Sequence, residues 1–242
     1  MSDLVQLWTW DQKTKRDVYP VLDSEKNTPI PIAEIRDWLF ATENQVRIQN
    51  HLSRYFSAEY TGNHFEWFAG HSQVTNFTPW DILAVESLSV TVPARTARLL
   101  LEPNMVRDDD LTESHRSLVP GSDSLWTCDE DLLGEGGALS NLYKLLRDMD
   151  GLGYVTSSKL LAVKFPSVIP IRDSKVETLL GLAKSREWWA PIRNLFTAPG
   201  LSLADHLDGL NVPEKIGHVT TLRRLDVILW MEAKARRLVN LQ

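Results

Sequence analysis

The chain has 242 residues, which is enough to bury a substantial core in one domain or in two closely packed lobes. Its composition, with 43% hydrophobic and 24% charged residues and a net charge of −6, is that of an ordinary globular protein and excludes a disordered chain or one that is basic throughout. No apolar run reaches the roughly 18–20 residues of a membrane span and the N-terminus has no basic-then-apolar signal, so we expect a cytoplasmic protein without a membrane partner.

Helical periodicity dominates the chain, and the sequence therefore predicts an all-α fold. We expect helices over residues 33–42, 45–57, 79–101, 138–149, 155–165, 174–180 and 219–239. Pro93 should kink or end the third of these helices. Asp173 or Ser174 suits the N-cap of the sixth.

The remaining segments predict little regular structure. A strand pattern is found only at residues 4–10, while the polar residues 11–31 and the acidic residues 102–124 are typical of loops. No internal repeat is evident, so we expect a single domain. Its parts are an N-terminal extension, a helical lobe, a glycine turn with its flanking segments, and C-terminal helices, at residues 1–32, 33–137, 138–180 and 181–242.

A glycine turn, Gly151–Thr156, joins the fourth and fifth predicted helices. Two close glycines let the backbone bend where a side chain would clash, and they leave amide N–H groups pointing outward at a helix N-terminus. Such an end is a ready site for an anion, and nucleic-acid phosphate is one common occupant. A carboxylate, Asp173, follows 20 residues after Gly153, just beyond a short apolar segment.

These two segments resemble the signature of the helix-hairpin-helix DNA glycosylases, the superfamily of endonuclease III and the adenine mismatch glycosylases. Gly151 and Gly153 match the turn glycines, and Thr156 matches a threonine three residues after the second glycine. Asp173 falls at the spacing of the catalytic aspartate, and Val176 matches the valine that follows it.

Other parts of the chain extend the resemblance. Residues 79–91 resemble the helix that precedes the hairpin in these enzymes, so the similarity spans about residues 77–180. The segments 60–68 and 225–231 resemble those of a divergent group of uncharacterised bacterial proteins. The resemblance implies an all-α, helix-hairpin-helix glycosylase-like fold with two packed helical lobes.

The resemblance also implies an activity, which is excision of a base from double-stranded DNA by hydrolysis of the N-glycosidic bond. Asp173 would stabilise the oxocarbenium character of the sugar or activate the attacking water. The bifunctional members carry a catalytic lysine two residues after the second glycine, where this chain has Val155, so a monofunctional enzyme is expected. The chain departs from the family pattern beside Asp173, because Arg172 precedes it in place of an apolar residue. Asp173 also has an alternative role, since a carboxylate just before a helix is a common N-cap.

Two further sets of candidate residues follow. Contacts with the DNA backbone are expected from Gly151, Gly153, Tyr154, Thr156 and Lys175. A flipped base needs stacking faces and hydrogen-bonding groups, and the aromatic segment 60–68 holds both kinds, although the same residues could be packing groups. The candidate base pocket consists of Tyr60, Asn63, His64, Phe65, Trp67 and Thr91. Lys159 and Lys164 are typical of solvated or backbone-contacting positions.

No cofactor or metal is expected, because the six histidines are scattered and the single cysteine, Cys128, excludes an intrachain disulfide and a four-cysteine iron–sulfur site. The charge is unevenly distributed: residues 139–242 hold 15 Lys and Arg against 10 Asp and Glu, whereas residues 1–138 hold 11 against 22. The half that contains the glycine turn is therefore the basic half, as local phosphate contacts require.

Two other functions remain open from the sequence. The chain could be a non-catalytic helix-hairpin-helix DNA-binding protein, or an all-α protein-interaction subunit whose glycine turn is purely structural. If it is a glycosylase, DNA repair and defence against phage with modified DNA are both compatible with the residues.

Overall fold

Helices form most of the regular structure of this protein. The structure is a computed structural model that describes residues 9–11, 16–18, 23–57, 60–102, 108–118, 123–183, 185, 188–213 and 216–238. Its helical content of 61% confirms the predicted all-α class. The described strands are Thr9–Asp11 (β1) and Arg16–Val18 (β2), which pair antiparallel with the backbone of Trp10 opposite that of Asp17.

The helices follow one another with short connections. They are α1 (Ile32–Phe40), α2 (Gln45–Tyr55), α3 (Phe65–Ala69), α4 (Pro79–Ser87), α5 (Ala94–Leu101), α6 (Asp108–Arg116), α7 (Glu130–Leu133), α8 (Ala138–Arg147), α9 (Gly153–Lys164), α10 (Ser174–Leu179), α11 (Trp189–Thr197), α12 (Leu203–Asp208) and α13 (Thr221–Ala235). Single 3-10 turns lie at Asp23–Glu25, Thr42–Asn44 and Thr61–His64.

Local sequence signals explain several helix ends. Thr78 and Asp81 form a capping box with Pro79 at the first helical position, and this fixes the start of α4. Residues 79–101 were expected to be helical on both sides of Pro93, and Pro93 is indeed the N-cap of α5. Helix α4, however, ends at Ser87, before Pro93 is reached. Asp173 caps α10, as predicted.

The loop predictions were wrong in part. The acidic segment 102–124 contains α6, which forms because Leu111 is fully buried against the second hydrophobic cluster described below. The polar segment 11–31 contains β2 and a 3-10 turn. Most of the expected strand at residues 4–10 lies outside the described residues, and β1 begins at Thr9.

The buried side chains fall into two hydrophobic clusters. The first unites α1, α2, α10, α11, α12 and α13, and the second unites α3, α4, α5, α6, α8 and α9. Helix α9 is buried along most of its length, from Thr156 to Lys164. Among the described helices, none is long and apolar enough to cross a membrane.

Burial of α9 corrects the interpretation of its two lysines. Lys159 and Lys164 are 3% and 5% exposed, and neither is solvated. The Lys164 ammonium lies 2.7 Å from Asp81 and donates to the backbone oxygens of Gln73 and Asn76, so the buried charge is paired and hydrogen-bonded. The partners of the two lysines lie 14 to 92 residues away in sequence, so local periodicity gives no sign of them.

Candidate functional site

A cavity of about 350 Å³ lies where α2, α9, α10 and α13 meet the segment that follows α4. Its volume falls within the range of small-ligand sites. The lining combines carboxylates, cations and aromatic rings, together with the 3-10 turn at Thr61–His64 and the backbone of residues 87–90. Ser89, on the rim, has a φ of 62°, a left-handed conformation that is costly for a residue with a side chain.

Asp173 lines this cavity and also caps a helix. Its Oδ1 accepts a hydrogen bond of 2.9 Å from the backbone N–H of Lys175, which is the N-cap interaction. Its Oδ2 lies 3.3 Å from Nζ of Lys159. The side chain is 17% exposed. The two interpretations of Asp173 are therefore compatible, since one oxygen caps α10 and the other takes part in the cavity.

Lys159 is a cavity residue that the sequence analysis missed. Besides its contact with Asp173, its Nζ donates a hydrogen bond of 3.0 Å to the backbone oxygen of Leu88. Val155 precedes it by one helical turn and lines the same cavity. The signal that could have found Lys159 is this four-residue spacing from the position that carries the catalytic lysine in the bifunctional glycosylases.

A second carboxylate, Asp226, reaches the cavity from α13. It forms a short ion pair with Nη1 of Arg223. The rest of the Arg223 guanidinium bonds to Glu66 at 2.7 Å, to the hydroxyl of Tyr55 at 2.8 Å and to the backbone oxygen of Gly62 at 3.1 Å. Burial raises the pKa of Asp226 to about 6, and the nearby Asp173 charge acts in the same direction against the opposing effect of Arg223.

Aromatic rings form one wall of the cavity. Tyr55 and Tyr60 are stacked with centroids 5.6 Å apart, and Trp230 meets Tyr60 edge-on at 5.8 Å. The ammonium of Lys234 lies 4.3 Å from the Tyr60 centroid and 3.1 Å from its hydroxyl oxygen. Close approach here depends on Gly62, because a Cβ at that position would lie 2.0 Å from the Tyr55 hydroxyl. We call Tyr55, Tyr60 and Trp230 the aromatic wall.

The predicted base pocket needs correction, because only Tyr60 of its six residues lines the cavity. The side chain of Asn63 donates to the backbone of Ser57 at 2.5 Å, and Phe65 is buried in the second hydrophobic cluster. The other three, His64, Trp67 and Thr91, are exposed.

The physical reason for this correction is the 3-10 turn at Thr61–His64. It directs Thr61 and the backbone of Gly62 toward the cavity, while the aromatic residues that follow belong to α3. Trp67 is 56% exposed and packs edge-on against Trp80, with centroids 5.7 Å apart.

Helices α8 and α9 form a helical hairpin around the glycine turn. Both glycines have positive φ, 75° at Gly151 and 50° at Gly153. A Cβ at Gly151 would lie 2.4 Å from Cγ of Pro93, so this glycine permits a close approach, whereas a Cβ at Gly153 would meet nothing within 4 Å. The hydroxyl of Thr96 donates to the backbone oxygen of Asp150 at 2.6 Å and fixes the turn to α5.

The predicted DNA-backbone residues lie in three environments. Gly151, Gly153 and Tyr154 are exposed at the turn. Lys175 is half-buried at the cavity. Thr156 is only 8% exposed, so little of its side chain is accessible to a phosphate.

Arg172, the residue that departs from the glycosylase pattern, points away from the cavity that Asp173 lines. Its Nε donates to Glu177 at 2.6 Å, its Nη2 donates to the backbone oxygen of Ser185 at 2.6 Å, and its guanidinium carbon lies 4.5 Å from the centroid of Tyr154. The buried charge is thus paired within the core. The backbone at Asp173 is extended, with φ −137° and ψ 136°, and the preceding side chain, Arg172, lies on the face opposite that of Asp173.

Metal ligation has no candidate in the described part of the chain, where no group of three or more His, Cys, Asp and Glu is placed to hold an ion. Cys128 is buried, and burial raises the pKa of its thiol.

The fold and the site define an all-α protein with a carboxylate–lysine pair and an aromatic wall in one cavity. The chain belongs to DUF6308, a family of unknown function whose model matches residues 48–233. All residues that line the cavity lie within that span. No curated protein and no solved structure matches the chain.

Proposed function

We propose that this protein is a monofunctional DNA glycosylase that hydrolyses the N-glycosidic bond of a damaged or modified base extruded from duplex DNA. The observation that carries the proposal is the position of Asp173, which follows the glycine turn at the spacing of the catalytic aspartate and lines a cavity with an aromatic wall. A pocket next to a helical hairpin suits an enzyme that grips the DNA backbone and rotates one nucleotide out of the stack.

The chemistry asks for an anion beside the sugar. As the bond between C1′ and the base nitrogen breaks, its electron pair leaves with the base and positive charge develops on the sugar. The Asp173 carboxylate stabilises that charge, and water then adds to C1′ while its proton is released. The cap interaction with Lys175 and the ion pair with Lys159 hold the two oxygens in place, so little reorganisation is needed.

The absence of a Schiff-base step follows from the amines around the site. Val155 occupies the position of the bifunctional lysine. The nearby Lys159 donates to Asp173 and to the backbone oxygen of Leu88, and an ammonium ion held in this way has no lone pair with which to attack the sugar.

Backbone binding is assigned to the exposed end of the helical hairpin. The first amide groups of α9 have no side-chain cap, and the N-terminus of a helix favours phosphate. Lys175, at the cavity rim two residues after Asp173, is the nearest candidate cation for a phosphate that flanks the extruded nucleotide. The exposed Asp148 and Asp150 at the turn oppose this attraction. Each phosphate that the protein neutralises releases counterions, so duplex binding should weaken as the salt concentration rises.

The test uses duplexes with normal and with damaged or modified bases, followed by alkaline cleavage at abasic sites. Three proteins are compared: the wild type, Asp173→Asn, and Asp129→Asn as a matched control. Asp129 also caps a helix, α7, by accepting from a backbone N–H at 3.0 Å, but it is exposed and lies outside the cavity lining.

Abasic sites from the wild type and from Asp129→Asn, but not from Asp173→Asn, support the proposal. Salt-dependent duplex binding without abasic sites on any substrate would instead indicate a non-catalytic DNA-binding protein. No duplex binding at all would favour a protein-interaction subunit.

A further inference from the structure

We infer that Asp226 selects the base, by accepting a hydrogen bond from an exocyclic amino group of a nucleobase held against the aromatic wall. This inference rests on the proposed glycosylase function and names the class of base that the same cavity takes. Derivatives of adenine, guanine and cytosine carry such an amino group, whereas uracil, thymine and hypoxanthine present oxygen in its place.

The position of Asp226 on α13 supports this role. Trp230 follows Asp226 by four residues, so the carboxylate and a ring of the aromatic wall lie on one face of the helix and line one cavity. A base stacked on an aromatic wall presents its edge to groups beside the wall. Asp226 is such a group, and its side chain is 9% exposed, so a ligand that reaches it is largely removed from water.

One oxygen of the Asp226 carboxylate, Oδ1, is available to accept a hydrogen bond from a ligand. Arg223 bonds to Oδ2 alone, and its other nitrogens are committed to Glu66, Tyr55 and Gly62. Within the described residues, Oδ1 of Asp226 accepts no hydrogen bond from a protein donor. An ionised carboxylate has room for about four hydrogen bonds and donates none.

A ligand group that meets this oxygen must therefore be a donor. An amino group satisfies the carboxylate, whereas a carbonyl oxygen in the same place leaves two acceptors facing each other in a buried site. Hydrogen bonds to charged groups are strong, and a site that is built around one rejects an analogue that lacks the donor. Lys159 and Asp173, which also line the cavity, are bonded to each other, and Lys159 donates to the backbone oxygen of Leu88 as well, so we assign selection of the base to Asp226.

Glu66 offers a matched control for the structural role of Asp226. It pairs with the same guanidinium at 2.7 Å and is 6% exposed, but it is not part of the cavity lining. If Asp226 served only to neutralise Arg223, the substitutions Glu66→Gln and Asp226→Asn would have the same effect on ligand binding.

The experiment measures equilibrium binding of free deoxynucleosides to the whole protein, in three pairs that differ at the amino group: deoxycytidine with deoxyuridine, deoxyadenosine with deoxyinosine, and deoxyguanosine with deoxyinosine. Oxygen replaces the amino group in the first two pairs, and hydrogen replaces it in the third. The wild type should favour the amino member of at least one pair by about ten- to a hundredfold, and no pair should show the reverse preference. Asp226→Asn, whose amide can turn either its oxygen or its nitrogen to the ligand, should reduce the preference to within about threefold. Glu66→Gln should retain it.

Several results would overturn the inference: no binding of any nucleoside, equal binding within all three pairs by the wild type, a preserved preference in Asp226→Asn, or an equal loss in Glu66→Gln. If Asp226→Asn does not fold, the preference of the wild type within the nucleoside pairs tests the inference by itself. Excision assays run in parallel separate the two proposals. If bases are excised equally with and without an amino group, the role of Asp226 is refuted and the glycosylase proposal stands. If nucleosides are selected by their amino group but no base is excised, the glycosylase proposal is refuted and the role of Asp226 stands.

Discussion

Replacing Asp173 by asparagine should strongly slow base excision. It should also destabilise the protein, because the substitution removes the counter-ion of a buried lysine. The ammonium of Lys159 is 3% exposed and would keep only its bond to the backbone oxygen of Leu88. The helix cap should survive, since asparagine is as good an N-cap as aspartate. The two effects must therefore be measured separately.

The structure sets the magnitude of each effect. Removing one partner of a fully buried ion pair costs about 3–5 kcal/mol of unfolding free energy. The Asp173 side chain is 17% exposed and Lys159 retains one acceptor, so we expect a smaller loss, of about 1–3 kcal/mol. The loss of a preorganised charge beside the reacting centre should slow excision by about 100- to 1000-fold.

The assay is a double-mutant cycle with Lys159→Met, which removes the stranded charge and keeps the length of the side chain. Denaturant unfolding should show that the double variant of Asp173 and Lys159 regains most of the stability lost in Asp173→Asn. Single-turnover excision, measured where circular dichroism shows every variant folded, should remain slow in the double variant. Excision that returned together with stability would refute a chemical role for Asp173, as would wild-type excision by Asp173→Asn.

The remaining predictions concern the turn, the missing amine and the pH dependence. Gly153 and Gly181 both have positive φ and open space around a Cβ, so Gly153→Val and the control Gly181→Val should each lower the free energy of unfolding by about 1–2 kcal/mol. In a titration with duplex DNA, only Gly153→Val should weaken binding. Equal affinities of the two variants would mean that the turn is structural only. Because Val155 replaces the lysine, borohydride should trap no protein–DNA adduct during turnover, and a trapped adduct would contradict a monofunctional enzyme. Burial lowers the pKa of His51 below 6.5, so the stability that it contributes is present above pH 6.5 and is lost as the pH falls. His51→Gln can still donate to Glu232, and it should flatten the pH dependence of the free energy of unfolding in urea. A pH dependence equal to that of the wild type would exclude this cause.

The parts of the fold that the sequence predicted are those with strong local signals. Long helices with one apolar face, such as α8, repeat at 3.6 residues and are bounded by capping residues, prolines or glycines. Helix α6 was missed because it is acidic and depends on one buried leucine, Leu111, that docks against a distant part of the chain. The four-residue α7 is too short to show a period.

The candidate site was predictable only where a motif marked it. Asp173 stands at a recognisable spacing, and Tyr60 lies in an unusual aromatic segment. Lys159 has only a weak local signal, its four-residue spacing from Val155, and the carboxylate that offsets its charge is brought to it by tertiary packing. Asp226 follows Arg223 by three residues, which is the pattern of an ordinary surface ion pair on a helix, and only the packing of α13 makes it buried.

The position of α13 has a consequence for synthesis of the chain. This helix packs on α2 and α10 and supplies Asp226 and Trp230 to the cavity, and just beyond it the backbone oxygen of Arg236 accepts a 2.7 Å hydrogen bond from Asn27. Helices α8 and α9 pack on each other and on α4 and α6, which precede them in the chain, so the hairpin can assemble while the ribosome is still translating. The cavity depends on a helix that emerges about 60 residues after the hairpin, so a nascent chain presents the turn well before it has a pocket, with the first hydrophobic cluster still open to chaperones.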